Sequence, residues 1–374
     1  MRIMKLEVTQ IIRNTIAICM LMVICHNTNA QTNLSAYTDV FNKFYCFDNG
    51  ATSELEYLAP REYKVGRTGI AYLDNLGIFK VYRYGVMNKV NTNFTSAFGV
   101  SDNFIFYKTQ TSLHVIDADD DIELCRSVGE YAVGDSIILY YDRIRNILNA
   151  YYGGKTIELE TNLATNTHDN FKVSDNAIAY TNFMDQFKVV MYGETHVLEA
   201  QPVQDYQVGR NIVAYTDINN QFKICTGGEP IVADAFAPKR YIVGDNLVAF
   251  VGYDGYFKIF YEGKVHQIGY FDKRFLVSDY VVAFEDGAGF FKVFYKGNIY
   301  DIDNFYPEKF LLGYRSMTYI NKGNVMRMFS DGAIHDVTTM VNNLENVRMD
   351  YDVLQYKVGA NMFRFFVDGK DFNN

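Results

Sequence analysis

Ten times along the 374-residue chain, an aromatic residue is followed by a second apolar anchor and then, in all copies but the third, by a glycine; the third copy has Asp119 there. Most copies begin 34 or 35 residues apart, so the chain is an array of one supersecondary unit. The first anchors are Tyr37, Tyr72, Tyr107, Tyr140, Tyr180, Tyr215, Phe250, Phe284, Tyr319 and Tyr356. The second anchors are Phe44, Phe79, Leu113, Ile147, Phe187, Phe222, Phe257, Phe291, Met326 and Phe363.

The seventh copy shows the unit most clearly, with four short apolar segments at 241–243, 247–251, 256–261 and 265–268. Gly-Asp, Asp-Gly and Glu-Gly pairs separate these segments, which is typical of hairpin turns between strands. In the segment 291–295 both faces are largely apolar, so each sheet should be covered on both sides by its neighbours. The sequence therefore predicts an all-β array of about ten four-stranded units. A β-propeller is favoured, and an open β-solenoid is the alternative.

In repeat length and strand pattern, residues 31–374 resemble secreted bacterial β-propeller repeat proteins of the TolB or WD40-like kind. The resemblance implies a propeller fold. The Trp-Asp and Gly-His signatures of WD40 repeats and the paired glycines of kelch repeats are missing from the sequence. No functional residue is therefore carried over, because a fold by itself does not give a function.

The N-terminus has the pattern of a secretory signal peptide. Arg2, Lys5 and Arg13 form a basic start, and an apolar run at 15–25 precedes a polar end that closes on Ala30. We expect cleavage after Ala30, export to the periplasm, cell surface or medium, and a mature domain at 31–374. An uncleaved anchor helix is the alternative. No later run reaches the roughly 18 apolar residues of a membrane span.

Charge and cysteine content narrow the possible partners. The formal net charge of −9 argues against nucleic acid as a ligand. Cys46, Cys125 and Cys225 stand at apolar strand positions without metal-site spacing, so we expect small buried hydrophobic residues and no disulfide framework.

Two polar patterns are candidate metal sites. The acidic turn of the third copy contains Asp117, Asp119, Asp121 and Glu123, a set of oxygen ligands of the kind that calcium prefers. The alternative is a solvated acidic turn. His196, His266 and His335 share one repeat position, which we interpret as polar residues on one strand position because alternate blades hold such residues apart.

A cation directly follows the second anchor in most copies, and Lys188, Lys223, Lys258 and Lys292 are the candidate ligand-binding residues. They could form a positive ring that binds an anion or an acidic glycan. Alternatively, each stem packs between blades while its ammonium group pairs with a turn carboxylate. The expected partners in that case are Asp102, Asp135, Asp175, Asp245 and Asp279.

No nucleophile elbow, phosphate-binding loop, dinucleotide fingerprint or zinc-protease helix is present in the sequence. Packing residues dominate the repeat, and a repeat array offers a large binding surface. The sequence therefore favours an exported, non-catalytic scaffold without a cofactor that binds a protein or a glycan. The alternative is a polysaccharide-active enzyme that uses Asp and Glu in a central channel or groove.

Overall fold

The computed structural model describes residues 33–91, 94–118, 120–161, 171–341, 343–359 and 362–373. The predicted signal peptide lies outside these residues. The described part of the chain forms 39 strands in ten antiparallel sheets. It contains no helix that is long and apolar enough to cross a membrane. The all-β prediction is confirmed.

Each sheet with its turns is called a blade, and the blades are numbered in chain order. Blades 1 to 5 contain the strands β1 (Leu34–Thr38), β2 (Phe44–Asp48), β3 (Ala51–Glu56), β4 (Glu62–Gly66), β5 (Gly69–Leu73), β6 (Phe79–Arg83), β7 (Val86–Asn91), β8 (Ala97–Val100), β9 (Phe104–Lys108), β10 (Leu113–Asp117), β11 (Asp120–Cys125), β12 (Val128–Val133), β13 (Ile137–Asp142), β14 (Ile147–Tyr152), β15 (Lys155–Thr161), β16 (Phe171–Ser174), β17 (Ala177–Thr181), β18 (Phe187–Met191) and β19 (Glu194–Glu199).

Blades 6 to 10 contain β20 (Asp205–Gly209), β21 (Ile212–Thr216), β22 (Phe222–Cys225), β23 (Ile231–Asp234), β24 (Arg240–Val243), β25 (Leu247–Val251), β26 (Tyr256–Tyr261), β27 (Lys264–Tyr270), β28 (Phe275–Val277), β29 (Val282–Glu285), β30 (Phe291–Tyr295), β31 (Asn298–Asp303), β32 (Phe310–Leu312), β33 (Ser316–Ile320), β34 (Met326–Ser330), β35 (Ala333–Thr338), β36 (Val347–Asp350), β37 (Val353–Val358), β38 (Met362–Val367) and β39 (Lys370–Asn373).

The four strands of a blade follow each other in sequence order and are called A to D. Blade 1 has three strands among the described residues, β1 to β3. Its β1 contains Tyr37, the first anchor, which lies on strand B in the other blades, so the strand A position is the one that blade 1 lacks in this part of the chain.

The turn between strands C and D explains the repeat glycine. In blade 7 Glu262 and Gly263 both have positive φ, at 49° and 74°. A two-residue turn of this kind matches the right-handed twist of the strands and favours glycine at the second position. The second anchor lies near the start of strand C and the glycine lies in the turn that follows this strand. The number of residues between them is therefore set by the length of strand C.

Aromatic contacts between neighbouring blades explain the two anchors. Phe222 of blade 6 packs against Tyr241 on strand A and Phe250 on strand B of blade 7, with ring centroids 4.9 and 5.1 Å apart. Equivalent three-ring contacts form around Phe44, Phe79, Phe187, Phe257 and Phe291. Both faces of each sheet are thereby buried, as predicted. Cys46, Cys125 and Cys225 are buried free thiols, also as predicted.

The array closes into a ring. Tyr37 and Phe47 of blade 1 pack on Phe363 and Phe365 of blade 10, with the centroids of Phe47 and Phe365 4.3 Å apart. In the described residues no strand is shared between the two blades, and side chains alone make the junction. This closure decides for the propeller over the open solenoid.

A buried polar contact completes the junction. The Oγ atom of Ser35 lies 2.7 Å from Asp350 Oδ2 and 2.6 Å from Gln355 Oε1. Burial raises the pKa of Asp350 against the opposing effect of Arg348. A hydroxyl has one proton to donate, so Ser35 donates to one of these two oxygens, and Asp350 also accepts a hydrogen bond from Arg348 Nε.

Candidate functional site: the channel turns and the loop face

The turns between strands A and B lie around the central axis and carry charged or aromatic residues at one repeat position. These channel residues of blades 2 to 10 are Arg67, Asp102, Asp135, Asp175, Arg210, Asp245, Asp279, Tyr314 and Tyr351. The glycine before Arg210 permits this arrangement, because a Cβ atom on Gly209 would lie 2.1 Å from the carbonyl oxygen of Gly244. Neighbouring turns are also hydrogen-bonded through their main chains, as between Asp245 N and Asp279 O at 2.5 Å.

The guanidinium group of Arg210 crosses the channel from blade 6. Its Nη2 atom donates to Asp102 Oδ2 and to Asp175 Oδ1, each at 2.7 Å. Its Nε atom lies 3.3 Å from Asp245 Oδ2, and its Nη1 atom donates to Tyr314 Oη at 2.9 Å. One side chain therefore binds residues of blades 3, 5, 7 and 9 and closes this end of the channel.

The carboxylates around Arg210 outnumber the cations, and this excess of negative charge shifts the pKa values of several of the aspartates. Burial, together with the nearby Asp175, raises the pKa of Asp135 to about 9 and that of Asp245 to about 10. Burial and the same charge raise the pKa of Asp279 to about 7. Burial opposes ionisation of Asp175 as well, but hydrogen bonds from Asp245 and Asp135 and the charge of Arg210 keep its pKa below the usual value.

Two groups of channel carboxylates have oxygen atoms within 4.8 Å of one another, namely Asp102 with Asp135 and Asp175, and Asp175 with Asp245 and Asp279. Oxygen clusters of this kind can hold a hard cation. Here the guanidinium group of Arg210 lies among them and supplies the positive charge. The sequence did not single out this cluster as a site, because its members are about one repeat apart and meet only in the closed ring.

The acidic turn that the sequence singled out lies elsewhere, at the outer edge of blade 3, and Asp119 is outside the described residues. Asp117 accepts a hydrogen bond from Tyr151 Oη of blade 4 at 2.7 Å. Asp121 accepts one from Tyr107 Oη at 2.7 Å, and Glu123 pairs with Arg126 at 3.2 Å. The described carboxylates of this turn thus already contact protein groups, with His114 close to both Asp121 and Glu123. Calcium binding there stays a prediction.

The four candidate lysines are held by carboxylates, and their partners differ from those expected. Lys188 pairs with Glu160, Lys223 with Glu199 and Lys258 with Asp234, each at 2.8 Å from the last strand of the preceding blade. Lys292 pairs within its own blade, with Asp301. Pairing with a turn carboxylate is confirmed for Lys223 with Asp217 and for Lys258 with Asp254, at 2.8 and 2.7 Å. The examples expected from the sequence, Asp102, Asp135, Asp175, Asp245 and Asp279, are wrong, because those aspartates lie in the channel around Arg210.

The carboxylate at the end of strand D is the centre of an inter-blade clasp. Glu199 Oε1 of blade 5 accepts hydrogen bonds from Lys223 Nζ at 2.8 Å and from Tyr215 Oη at 2.9 Å, both of blade 6. Glu56 and Glu160 make the same two contacts with the blades that follow them. An acidic residue placed 16 residues before the first anchor, as for Glu56 and Glu199, is the sequence signal for this clasp.

Two of the three repeat-position histidines pack between blades. His266 lies against Phe294 with centroids 6.4 Å apart, and His335 lies against Phe366 at 5.8 Å. His196 has Glu194 3.9 Å away. The described residues bring no two of these histidines together.

The opposite end of the ring carries the second candidate site. Because the strands are antiparallel, the turns between strands B and C and the connections from strand D to the next strand A lie at the same end of each blade. We call this end the loop face. Phe236 of a connection and Tyr253 of a B–C turn illustrate the proximity, with ring centroids 5.5 Å apart.

Short polar side chains fix the B–C turns of the loop face. Asp74 Oδ1 accepts hydrogen bonds from the main-chain N–H groups of Leu76 and Ile78, both at 2.9 Å. Asp39, Asn182 and Asp286 hold their own turns in the same way. Such Asx turns mimic a main-chain turn and restrict the loop.

The turns and connections of the loop face expose large apolar side chains to solvent. Phe41 is 78 % exposed, Leu76 72 % and Tyr253 69 %. The other large exposed apolar residues of the loop face are Val40, Tyr57, Leu58, Phe94, Ile144, Phe183, Met184, Ile218, Phe236, Tyr270 and Met340. Large apolar side chains that are exposed together at one end of a ring can form a protein–protein contact site.

Cations accompany the apolar residues of the loop face in blades 7 to 9. The ammonium groups of Lys239, Lys273, Lys309 and Lys322 have no carboxylate oxygen within 4.0 Å among the described residues. Lys322 lies over the ring of Phe305, 4.7 Å from its centroid. These four lysines accompany the apolar residues, and Asp272 and Glu308 lie in the same connections as Lys273 and Lys309.

Residues 28–372 match the family model of the 10-bladed beta propeller domain. The chain belongs to this family. The ten sheets of the ring are the ten blades of the family description. No curated protein has significant sequence similarity to this 10-bladed propeller.

Three solved structures illustrate its similarity to known folds. The computationally designed Ika8 protein is 16 % identical with a TM-score of 0.31, covering 70 % of this chain and 93 % of its own. The tricorn protease is 8 % identical with a TM-score of 0.31, and 90 % of this chain spans 46 % of it. PorZ, a bacterial surface component of the type-IX secretion system of Porphyromonas gingivalis, is 9 % identical with a TM-score of 0.29, over 83 % of this chain and 51 % of PorZ. These TM-scores are too low for any property of the three proteins to be transferred to this chain.

Proposed function

We propose that this 10-bladed propeller is an exported, non-catalytic scaffold that binds a partner protein through its loop face. The observation that carries the proposal is the set of large apolar side chains exposed on Asx-held turns, with Phe41, Leu76 and Ile144 as its most exposed members. Restricted loops lose little conformational entropy on binding, which favours a stable complex.

A protein fits this surface better than a glycan. Sugars are bound by aromatic planes together with hydrogen-bonding groups, whereas Leu76, Ile144, Met184 and Ile218 provide neither. Lys239, Lys273 and Lys309 pair with no carboxylate of the described residues, and they favour a partner with negative charge. The partner should therefore present an apolar patch bordered by carboxylates, which complement Lys239, Lys273 and Lys309.

The channel geometry supports a role without chemistry. A glycosidase requires two carboxyl groups about 5–10 Å apart on the two sides of a bound sugar. The carboxylates of this channel instead converge on Arg210, which lies where a substrate would pass. Export with cleavage after Ala30 is part of the proposal and is supported by the N-terminal sequence pattern.

The test uses purified protein as bait for exported proteins of its native source. Phe41→Asp combined with Phe183→Asp alters the loop face, and Val265→Asp combined with Ile299→Asp is the control on the outer strands. We expect the native protein and the control to enrich one partner that the loop-face variant does not, and to bind it directly once purified. Equal capture by all three proteins would contradict the proposal, as would cleavage of a polysaccharide that one Asp→Asn change in the channel abolishes.

A further inference from the structure

A cleft opens between blades 2 and 3, away from both the loop face and the channel. It has a volume of about 670 Å³, which is within the range of small-molecule sites. Val81 and Ile116 lie buried at its base, and Tyr84 and Val86 are exposed at its rim. We call it the blade 2–3 cleft.

The cleft lies at a position where two rings meet at the boundaries that follow blades 7, 8 and 9. The third residue after the repeat glycine packs against an aromatic ring of the next blade as His266 on Phe294, Tyr300 on Phe329 and His335 on Phe366. The corresponding residues of blades 2 and 3 are Asn88 and Ile116, and both line the cleft. The volume that two rings fill at those three boundaries is open to solvent between blades 2 and 3.

The charges in the cleft favour an anion. The buried guanidinium group of Arg83 donates through Nε to Thr68 O at 3.1 Å and through Nη1 to Ala118 O. Neither Arg83 nor the exposed Lys89 has a carboxylate within 4.0 Å among the described residues. An unneutralised cation in a partly buried site attracts a negative group more strongly than one in bulk water.

The remaining charged group of the cleft is already engaged. Asp121, on the wall formed by blade 3, accepts a hydrogen bond from Tyr107 Oη and lies 3.4 Å from His114 Nδ1. Burial opposes its ionisation, but the contacts with His114 and Tyr107 keep the pKa of Asp121 below its ordinary value. It is therefore an anion and directs a bound negative group towards Arg83 and Lys89 on the opposite wall.

We propose that the blade 2–3 cleft binds a small aromatic anion. The ring of the ligand takes the space between Ile116 and Val86 that the paired rings fill at other boundaries, and its negative group faces Arg83 and Lys89. This site is separate from the loop face, so an experiment that contradicts one of the two proposals leaves the other unaffected.

The experiment measures binding of naphthoate and of its neutral analogue naphthylmethanol to the purified protein by calorimetry. We expect saturable binding of naphthoate at one site per chain and weaker binding of naphthylmethanol. Ile116→Phe fills the cleft with the ring found at other boundaries and should weaken naphthoate binding by at least about tenfold. Ile299→Phe adds the same ring to an exposed outer strand and should leave the affinity unchanged.

A second variant tests the charge without touching the base of the cleft. Lys89→Gln should weaken naphthoate binding by about two- to fivefold and leave naphthylmethanol binding as it is. The absence of saturable binding, or unchanged affinity in Ile116→Phe, would overturn the proposed site. Equal affinities for naphthoate and naphthylmethanol would overturn the anionic preference.

Discussion

The Nη1 atom of Arg348 donates a hydrogen bond to Tyr63 Oη at 3.0 Å, between residues 285 positions apart. Arg348 lies on strand A of blade 10 and Tyr63 on strand A of blade 2, so the bond passes over the position where blade 1 has no described strand A. The guanidinium group also lies over the ring of Tyr63, 5.2 Å from its centroid. These two contacts close the inner circle of the propeller at blade 1.

Tyr63→Phe should lower the free energy of unfolding by about 1–2 kcal/mol, because it removes the hydrogen bond from Arg348 and the one that Tyr63 Oη donates to Ala36 O, and keeps the ring. Urea unfolding of both proteins measures the change. Tyr57→Phe is the control, since Tyr57 is 71 % exposed, and should have no effect. Equal stability of Tyr63→Phe and the native protein would show that the bond does not hold the closure.

Phe257→Ala should cost about 3–5 kcal/mol, because Phe257 is buried and contacts the rings of Phe275 and Phe284 in the next blade. Lys258→Met should cost about 1–3 kcal/mol, since it leaves the mostly buried Asp234 without its cation. Chemical denaturation gives both values. Small and equal losses would mean that the inter-blade core lies elsewhere.

Glu199→Gln should lower stability by about 1–2 kcal/mol, because one carboxylate oxygen accepts from both Lys223 and Tyr215 across the blade boundary. Glu194→Gln is a matched control on the same strand, with a side chain that is 79 % exposed. Thermal unfolding should show a lower Tm for the first variant alone. Similar Tm values for both variants would contradict the clasp.

The channel should make stability depend on pH. The folded-state pKa of Asp279, Asp135 and Asp245 is raised to about 7, 9 and 10, above the value in the unfolded chain. Their contribution is therefore fully present below about pH 4 and is lost as the pH rises through the folded-state values. The effect should be clearest for Asp245, whose side chain is 2 % exposed, since water screens the 36 % exposed Asp135 more strongly.

Asp245→Asn tests this dependence, because the amide keeps the size of the side chain and cannot ionise. The Tm of the native protein should fall more between pH 6 and pH 9.5 than that of the variant. Asp185→Asn, on an exposed B–C turn, is the control and should follow the native protein. A fall in Tm that is the same in all three would assign the pH dependence to other groups.

Arg210→Met should be among the most destabilising single substitutions, at about 3–5 kcal/mol, because it leaves Asp102 and Asp175 buried without a cation. The loss should be smaller at pH 5 than at pH 8, since protons then replace part of the missing positive charge. Denaturation at both pH values measures it. A loss independent of pH would show that packing, and not charge, is what Arg210 contributes.

The repeated part of this structure could be predicted from the sequence. The four strands of blade 7 lie at or within a few residues of the predicted segments, because turn residues and apolar anchors are local signals. The two-faced burial also followed from the sequence, since Phe291 and Phe294 of one strand had to face different neighbours.

The partners of the channel aspartates could not be predicted from the sequence, because they depend on the diameter of the ring. Asp102 and Asp245 were expected to bind lysines because both ions recur with the repeat. They meet Arg210 instead, which stands in blade 6 at the repeat position that an aspartate occupies in five other blades. The exposure of Phe41 and Leu76 was missed for a related reason, because an apolar residue in a turn is not distinguished by periodicity from one in the core.

The span of Arg210 also limits how many blades this ring can contain. No strand pairs with a strand of another blade in the described residues, so the three-ring contacts by themselves would tolerate an added or deleted copy. The contacts of Arg210 would not tolerate such a change. Each extra blade widens the channel, whereas the side chain has a fixed length with which to contact Asp102, Asp175, Asp245 and Tyr314. Arg210 thus limits the number of blades. Duplication of a blade would break the contacts of its guanidinium group while every sheet kept its strand pairing.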